Sequence, residues 1–175
     1  MKERNVRLTN LFCFALASLL VAGFQTSSLP FFLSLPARGQ LWIFLPTYIG
    51  LYHPLGWGIA YAYCASVLLF PFTNMPLGVL LSIHLIVVVG AHSLKSRIFW
   101  QTMSYYLVVS GMGLFFYQFL LLPFSRVTDP QISSIVWWEV FVDLLMIPTF
   151  GSALFLLGKK LDRVFPMNTS GAEQR

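Results

Sequence analysis

Two of the six carboxylates and all three histidines are the residues whose type and position could do chemistry in this chain. Glu139 and Asp143 stand four apart in an apolar stretch, so a helix there sets both on one face. A carboxylate near the middle of a bilayer costs about 2.5 to 3.5 kcal/mol on insertion scales. Glu139 has Trp137 and Trp138 beside it and can reach an interface, whereas the deeper Asp143 needs a partner, a raised pKa or a water-filled cavity. His84 and His92 are eight residues apart, about two helical turns, and so share a face. One of them meeting Asp143 would make an acid–imidazole pair, a possible proton relay; a satisfied polar contact between helices is the plainer reading and the favoured one. His53 reads as a turn residue at the cytoplasmic surface. No two histidines stand at i, i+3 or i+4, and there is no phosphate-cradling glycine loop, nucleophile elbow or Cys-x-x-Cys. Cys13 and Cys64 both fall in apolar runs and read as buried thiols. The expectation is a non-enzymatic chain with no catalytic, cofactor-binding or metal-ligating residue.

The elements that must hold these residues follow from composition. Of 175 residues, 57% are hydrophobic and 10% charged, and the mean hydropathy is +0.75. A soluble domain of this size could not hide that much apolar surface, so its solvent must be lipid. A crossing helix needs about 20 apolar residues. Plain runs occur at 8–24, 76–94, 99–122 and 132–157. The stretch 41–71 is too long for one crossing and just long enough for two, divided at His53-Pro54-Leu55-Gly56, which places spans at 37–52 and 56–71. The predicted fold class is an all-α integral membrane protein: one domain over 1–165 with six transmembrane helices, N-in/C-in, then a disordered cytoplasmic tail at 166–175. The basic start before the first apolar run resembles a signal peptide, but no small-x-small cleavage site follows, so a retained first span is expected.

Basic residues decide the count, because Lys and Arg of short loops are retained on the cytoplasmic side. Six spans with a cytoplasmic start put nine basic residues inside and only Arg38 and Arg126 outside; five spans put four inside and seven outside. Trp42, Trp57, Trp100 and Trp137-Trp138 all fall near proposed helix ends, as headgroup-level indoles should. The net charge of +5 is dispersed in this way and does not form a nucleic-acid face. Spans two and three are the short ones, roughly sixteen residues or about 24 Å each.

Two rows of small residues run along span three, Gly58-Ala62-Ser66 and Gly56-Ala60-Cys64, and a similar patch, Ser110-Gly111-Gly113, lies in span five. Such rows let helices approach closely in lipid, and packing within this chain is the expected use. The segment 25–40 mixes Ser, Pro and Gly with Pro30-Phe31-Phe32-Leu33; it is too short to cross and is expected at the outer interface.

The order of these features resembles the MreD family, the small membrane subunit of the bacterial rod-shape machinery, over nearly the whole chain. Gln25-Thr26-Ser27-Ser28-Leu29-Pro30 is similar to the family's Gln-Ser-Ser-Leu-Leu-Pro-like connection. Asn74-Met75-Pro76-Leu77-Gly78 is similar to its Ser-Pro-Leu-Gly turn, and Asp143-Leu144-Leu145-Met146-Ile147-Pro148 to its Asn-x-Leu-x-x-Pro, with Asp for the usual Asn. The chain lacks the family's Asp before the Pro-Leu-Gly turn, and Arg38-Gly39-Gln40 stands where the family has Arg-Pro-Asp. The resemblance implies a scaffold of the bacterial cytoplasmic membrane. It would bind the single-span protein MreC and help connect MreB filaments with cell-wall synthases. On this basis Gln25, Pro30, Pro76, Leu77, Gly78, His84, Glu139, Asp143 and Pro148 are the candidate structural or interaction positions. A more distant resemblance, to substrate-binding S components of energy-coupling-factor vitamin transporters, implies instead an outward-opening pocket near Trp137, Trp138 and Glu139. A proton-coupled channel using Asp143 and the histidines is the third reading.

Overall fold

The computed structural model describes residues 2–27, 41–73, 75–95, 102–128, 141 and 144–164, and among these there is no strand. Helix α1 covers Lys2–Ser27. A short 3-10 turn, Leu41–Ile43, leads into α2, Phe44–Tyr52. Helix α3 is Leu55–Leu69, continued by a 3-10 turn at Phe70–Phe72. Then come α4, Leu77–Lys95, and α5, Met103–Thr128. A π turn at Ile147–Gly151 opens α6, Ser152–Val164.

Four helical stretches among the described residues are long and apolar enough to cross a membrane: Leu8–Thr26, Leu55–Phe72, Leu77–Lys95 and Leu144–Val164. Leu41–Tyr52 and Met103–Tyr117 are shorter apolar helices. The outside of the bundle matches lipid rather than water. Leu8, Phe12, Leu16, Leu20 and Phe24, every fourth residue of α1, are all exposed, while Ser18, Thr47, Ser66, His84 and Ser110 are buried. A chain that turns leucine and phenylalanine outward and hydroxyls inward is a membrane protein.

The break between α2 and α3 lies where the sequence sets it. Proline disfavours helical geometry in the residue before it, and His53 is extended, at φ −111° and ψ 163°. Pro54 then starts α3, its carbonyl accepting the N–H groups of Trp57 and Gly58. The stretch from Leu55 to Phe72 has 18 residues, enough for a crossing, and Leu41–Tyr52, the described part of the preceding span, is a shorter apolar helix.

Every residue from Leu41 to Leu51 is buried, so α2 is sheathed by protein. It is the axis on which the others pack. A Cβ on Gly50 would stand 2.6 Å from the Val88 carbonyl of α4, and one on Gly158 of α6 would stand 2.7 Å from the Tyr48 ring. Phe14 of α1 stacks on Tyr48 with 5.8 Å between ring centroids. The Tyr106 hydroxyl of α5 donates to the Phe44 carbonyl at 3.0 Å.

The small-residue rows are resolved by the same packing. A Cβ on Gly58 would collide with Val88, and Ala62 and Ser66 are fully buried, so this row faces α4. Gly56 of the second row has open space beside it, and Ala60 and Cys64 are only half-buried. In α5, Gly113 faces Ile43 and Thr47 of the α2 segment, and Gly111 faces Ile147. Helix α5 runs through Pro123 to Thr128, and α6 runs past Lys159 and Lys160 to Val164. Continuing a helix keeps backbone groups paired where lipid offers no partner.

Candidate functional site

Two polar clusters are set into opposite ends of this apolar bundle, and α1 and the Leu41–Tyr52 segment contribute to both. Their separation follows from α1, which supplies Asn10 to one and Gln25 to the other, fifteen residues or about 22 Å apart along the axis.

The first cluster is built around Asp162, near the end of α6. The Tyr48 hydroxyl donates to its Oδ2 at 2.8 Å, and the Asn10 amide donates to its Oδ1 at 3.4 Å. Nε2 of His53 approaches Oδ1 at 3.2 Å, close enough for an ion pair although off the line of a good hydrogen bond. Elements remote in sequence thus converge on one carboxylate: the start of α1, the middle of α2, the α2–α3 joint and the end of α6. Local folding explains each placement. Pro54 ends α2 and leaves His53 extended, and Gly158 lets Tyr48 lie against α6. Phe14 packs edge-on to the His53 ring at 5.5 Å. His53 is therefore a turn residue as expected, but a buried one, 4% exposed, rather than a surface residue. With both oxygens engaged, Asp162 is a joint between helices. Sequence reasoning missed Asp162, Asn10 and Tyr48; the available signal was a single acid among Lys159, Lys160 and Arg163 and a single amide inside the first apolar run.

The second cluster gathers Gln25 and His84 with residues that the sequence did not single out. Oε1 of Gln25, itself buried, accepts the backbone N–H of Leu41 at 2.9 Å. That N–H is one of the donors a helix start leaves unpaired, so α1 caps the central segment from outside. Replacing Gln25 with leucine should orphan a buried donor and cost about 1 to 3 kcal/mol in a denaturant titration of the purified protein. A variant as stable as the parent would show that the cap is dispensable.

His84 is completely buried in α4. Its Nδ1 lies 2.9 Å from the Leu80 carbonyl and 3.0 Å from the Ser66 hydroxyl of α3. A carbonyl can only accept, so Nδ1 carries the proton and Nε2, which has no hydrogen-bond partner among the described residues, is left as an acceptor. Trp42 covers the imidazole at 4.8 Å and meets Tyr117 edge-on at 5.4 Å. His92 lies further along α4, and its Nδ1 stands 3.3 Å from the Gly50 carbonyl.

The remaining sequence candidates fall at helix joints or outside the described residues. The Pro76 carbonyl accepts the N–H groups of Val79 and Leu80 and so opens α4; Pro76, Leu77 and Gly78 are exposed. Pro148, without an N–H, stands in the π turn, a usual consequence of a missing i→i−4 bond. That turn brings Gly151 against α2 and α5, where a Cβ would stand 2.9 Å from the Phe44 ring and 2.7 Å from Leu107. Pro30, Glu139 and Asp143 lie outside the described residues, as do Trp137, Trp138, most of the 25–40 segment and the tail at 166–175. No family model, curated protein or solved structure matches the chain. What the geometry offers on its own is a pair of structural joints, each tying α1 to the buried helix at one end of the bundle.

Proposed function

We propose that this chain is an MreD-like, non-catalytic scaffold of the bacterial cytoplasmic membrane. It crosses six times with both ends inside, binds an MreC-like single-span protein and supports the filaments and synthases of cell-wall growth. One observation carries the reading: the residues that bear the family resemblance do structural work at the joints of the bundle. Gln25 caps the start of the central segment, Pro76 opens α4, and Pro148 makes the turn that seats Gly151 on Phe44. Motif residues of a scaffold are needed for shape, and these three shape the body from which the apolar surface is presented.

The charge asymmetry supports the orientation, since nine of the eleven basic residues fall on one side under this topology. Co-expression of the tagged chain with an MreC-like protein should give a complex that survives purification, and depletion should round the cells. Failure of both, together with tight binding of a vitamin by the purified chain, would favour a transporter S component instead. Asp143→Asn separates a scaffold from a proton pathway. The family usually carries Asn there, so partner binding and cell shape should be unchanged; loss of function in that variant would turn the reading toward proton transfer.

A further inference from the structure

An open groove of about 440 Å³ runs between α1 and α6, walled on one side by Cys13, Leu16 and Leu20 and on the other by Ala153, Leu157 and Leu161. The two helices are antiparallel, as their contacts show: Asn10 reaches Asp162 at one end, and the rings of Phe24 and Phe150 meet at 6.1 Å at the other. Those two rings also line the groove. From Cys13 to Phe24 the groove measures about 16 Å, close to one leaflet and about half of what a crossing helix occupies. Its near end is basic. Lys159, Lys160 and Arg163 are exposed on the last turns of α6, and α1 opens with Lys2, Arg4 and Arg7 at the same end. Lys160 stands three residues after Leu157, on the groove side of α6. Lys159 is held over the Phe155 ring, 5.0 Å from its centroid, whereas Lys160 and Arg163 form no ion pair among the described residues. Asp162, the one acid in α6, is already engaged by Tyr48, Asn10 and His53.

We infer that this groove binds one anionic phospholipid, with an acyl chain along α1 and α6 and its phosphate on Lys160. Two features select an acyl chain over a partner helix: a length of one leaflet, and a cationic side chain, Lys160, at the end where a headgroup would lie. The inference does not depend on the scaffold reading, because it needs no protein partner.

The test is lipid retention by the purified protein exchanged into equal mixtures of phosphatidylglycerol and phosphatidylcholine, read by native mass spectrometry. The parent should retain one phosphatidylglycerol in clear preference. Lys160→Gln should lower that preference about fivefold. Ala153→Trp, which fills the groove from an exposed position, should lower retention of both lipids several-fold. Melting curves for each variant keep loss of lipid distinct from loss of fold. Equal retention of both lipids by the parent, or full retention by Ala153→Trp, would overturn the site. A dimer that Ala153→Trp abolishes would assign the groove to a second copy and overturn it equally.

Discussion

Gly50→Val is expected to cost the folded protein about 3 kcal/mol, the upper end for overpacking a buried site, and to sharply lower the yield of monodisperse protein. The position admits no side chain. A Cβ there would lie 2.6 Å from the Val88 carbonyl oxygen and 2.8 Å from the Ala91 Cβ, so α4 backbone, and not a side chain that could swing away, would have to yield. Helix α2 cannot retreat either, since it is buried on every side. Parting the two helices would also lengthen the 3.3 Å contact between His92 and the Gly50 carbonyl. Gly56→Ala is the control, because a Cβ at Gly56 meets nothing within 4 Å; its effect should stay within about 1 kcal/mol of the parent. The measurement is unfolding of each variant in mixed micelles with increasing denaturing detergent. Equal stability of the two variants would mean that α2 is not the packed axis of the bundle.

Gly56 and Gly58 show how far the sequence could be read. Their spacing announced two rows of small residues on one helix, and packing within the chain was the expected use. Nothing in the spacing said which row meets a neighbour, because that depends on how α3 is rotated against α4, and every face of the helix is apolar. The break at His53-Pro54 was legible for a local reason, the steric effect of proline on the residue before it. That protein rather than lipid sheathes α2 was not legible. Hydropathy reports that a segment avoids water, and gives the same value whether lipid or protein covers it. Asp162 escaped for a related reason: beside Lys159, Lys160 and Arg163 it reads as one more solvated charge, and only the fold brings Asn10, Tyr48 and His53 to it. His84 and Gln25 were visible as polar residues at span ends or inside spans, but their partners, Ser66 and the Leu41 amide, belong to other helices.

Asp162→Ala should be the second costly change, by about 2 to 3 kcal/mol. The substitution removes at once the acceptor of the Tyr48 and Asn10 hydrogen bonds and the carboxylate facing His53. Each buried donor left without an acceptor costs about 1 to 3 kcal/mol, and the lower end applies here because the Asp162 side chain is 29% exposed and water can reach part of the cluster. Asp162→Asn keeps one acceptor oxygen and should lose about half as much. Tyr48→Phe alone removes a single 2.8 Å bond while leaving the ring against Phe14 and Phe155, and should cost about 1 kcal/mol. The decisive quantity is the coupling between the two sites. Once Asp162 is gone the Tyr48 hydroxyl has lost its acceptor, so adding Tyr48→Phe should cost little more, and the double variant should fall short of the summed single effects by about 1 kcal/mol. The same loss should be seen locally, as faster amide exchange in the last turns of α6 with little change in α3, because the carboxylate is what fastens that end to α1 and α2. Strict additivity, or protection of α6 unchanged in Asp162→Ala, would show that apolar packing around Tyr48 holds the helix end and that the polar joint is incidental.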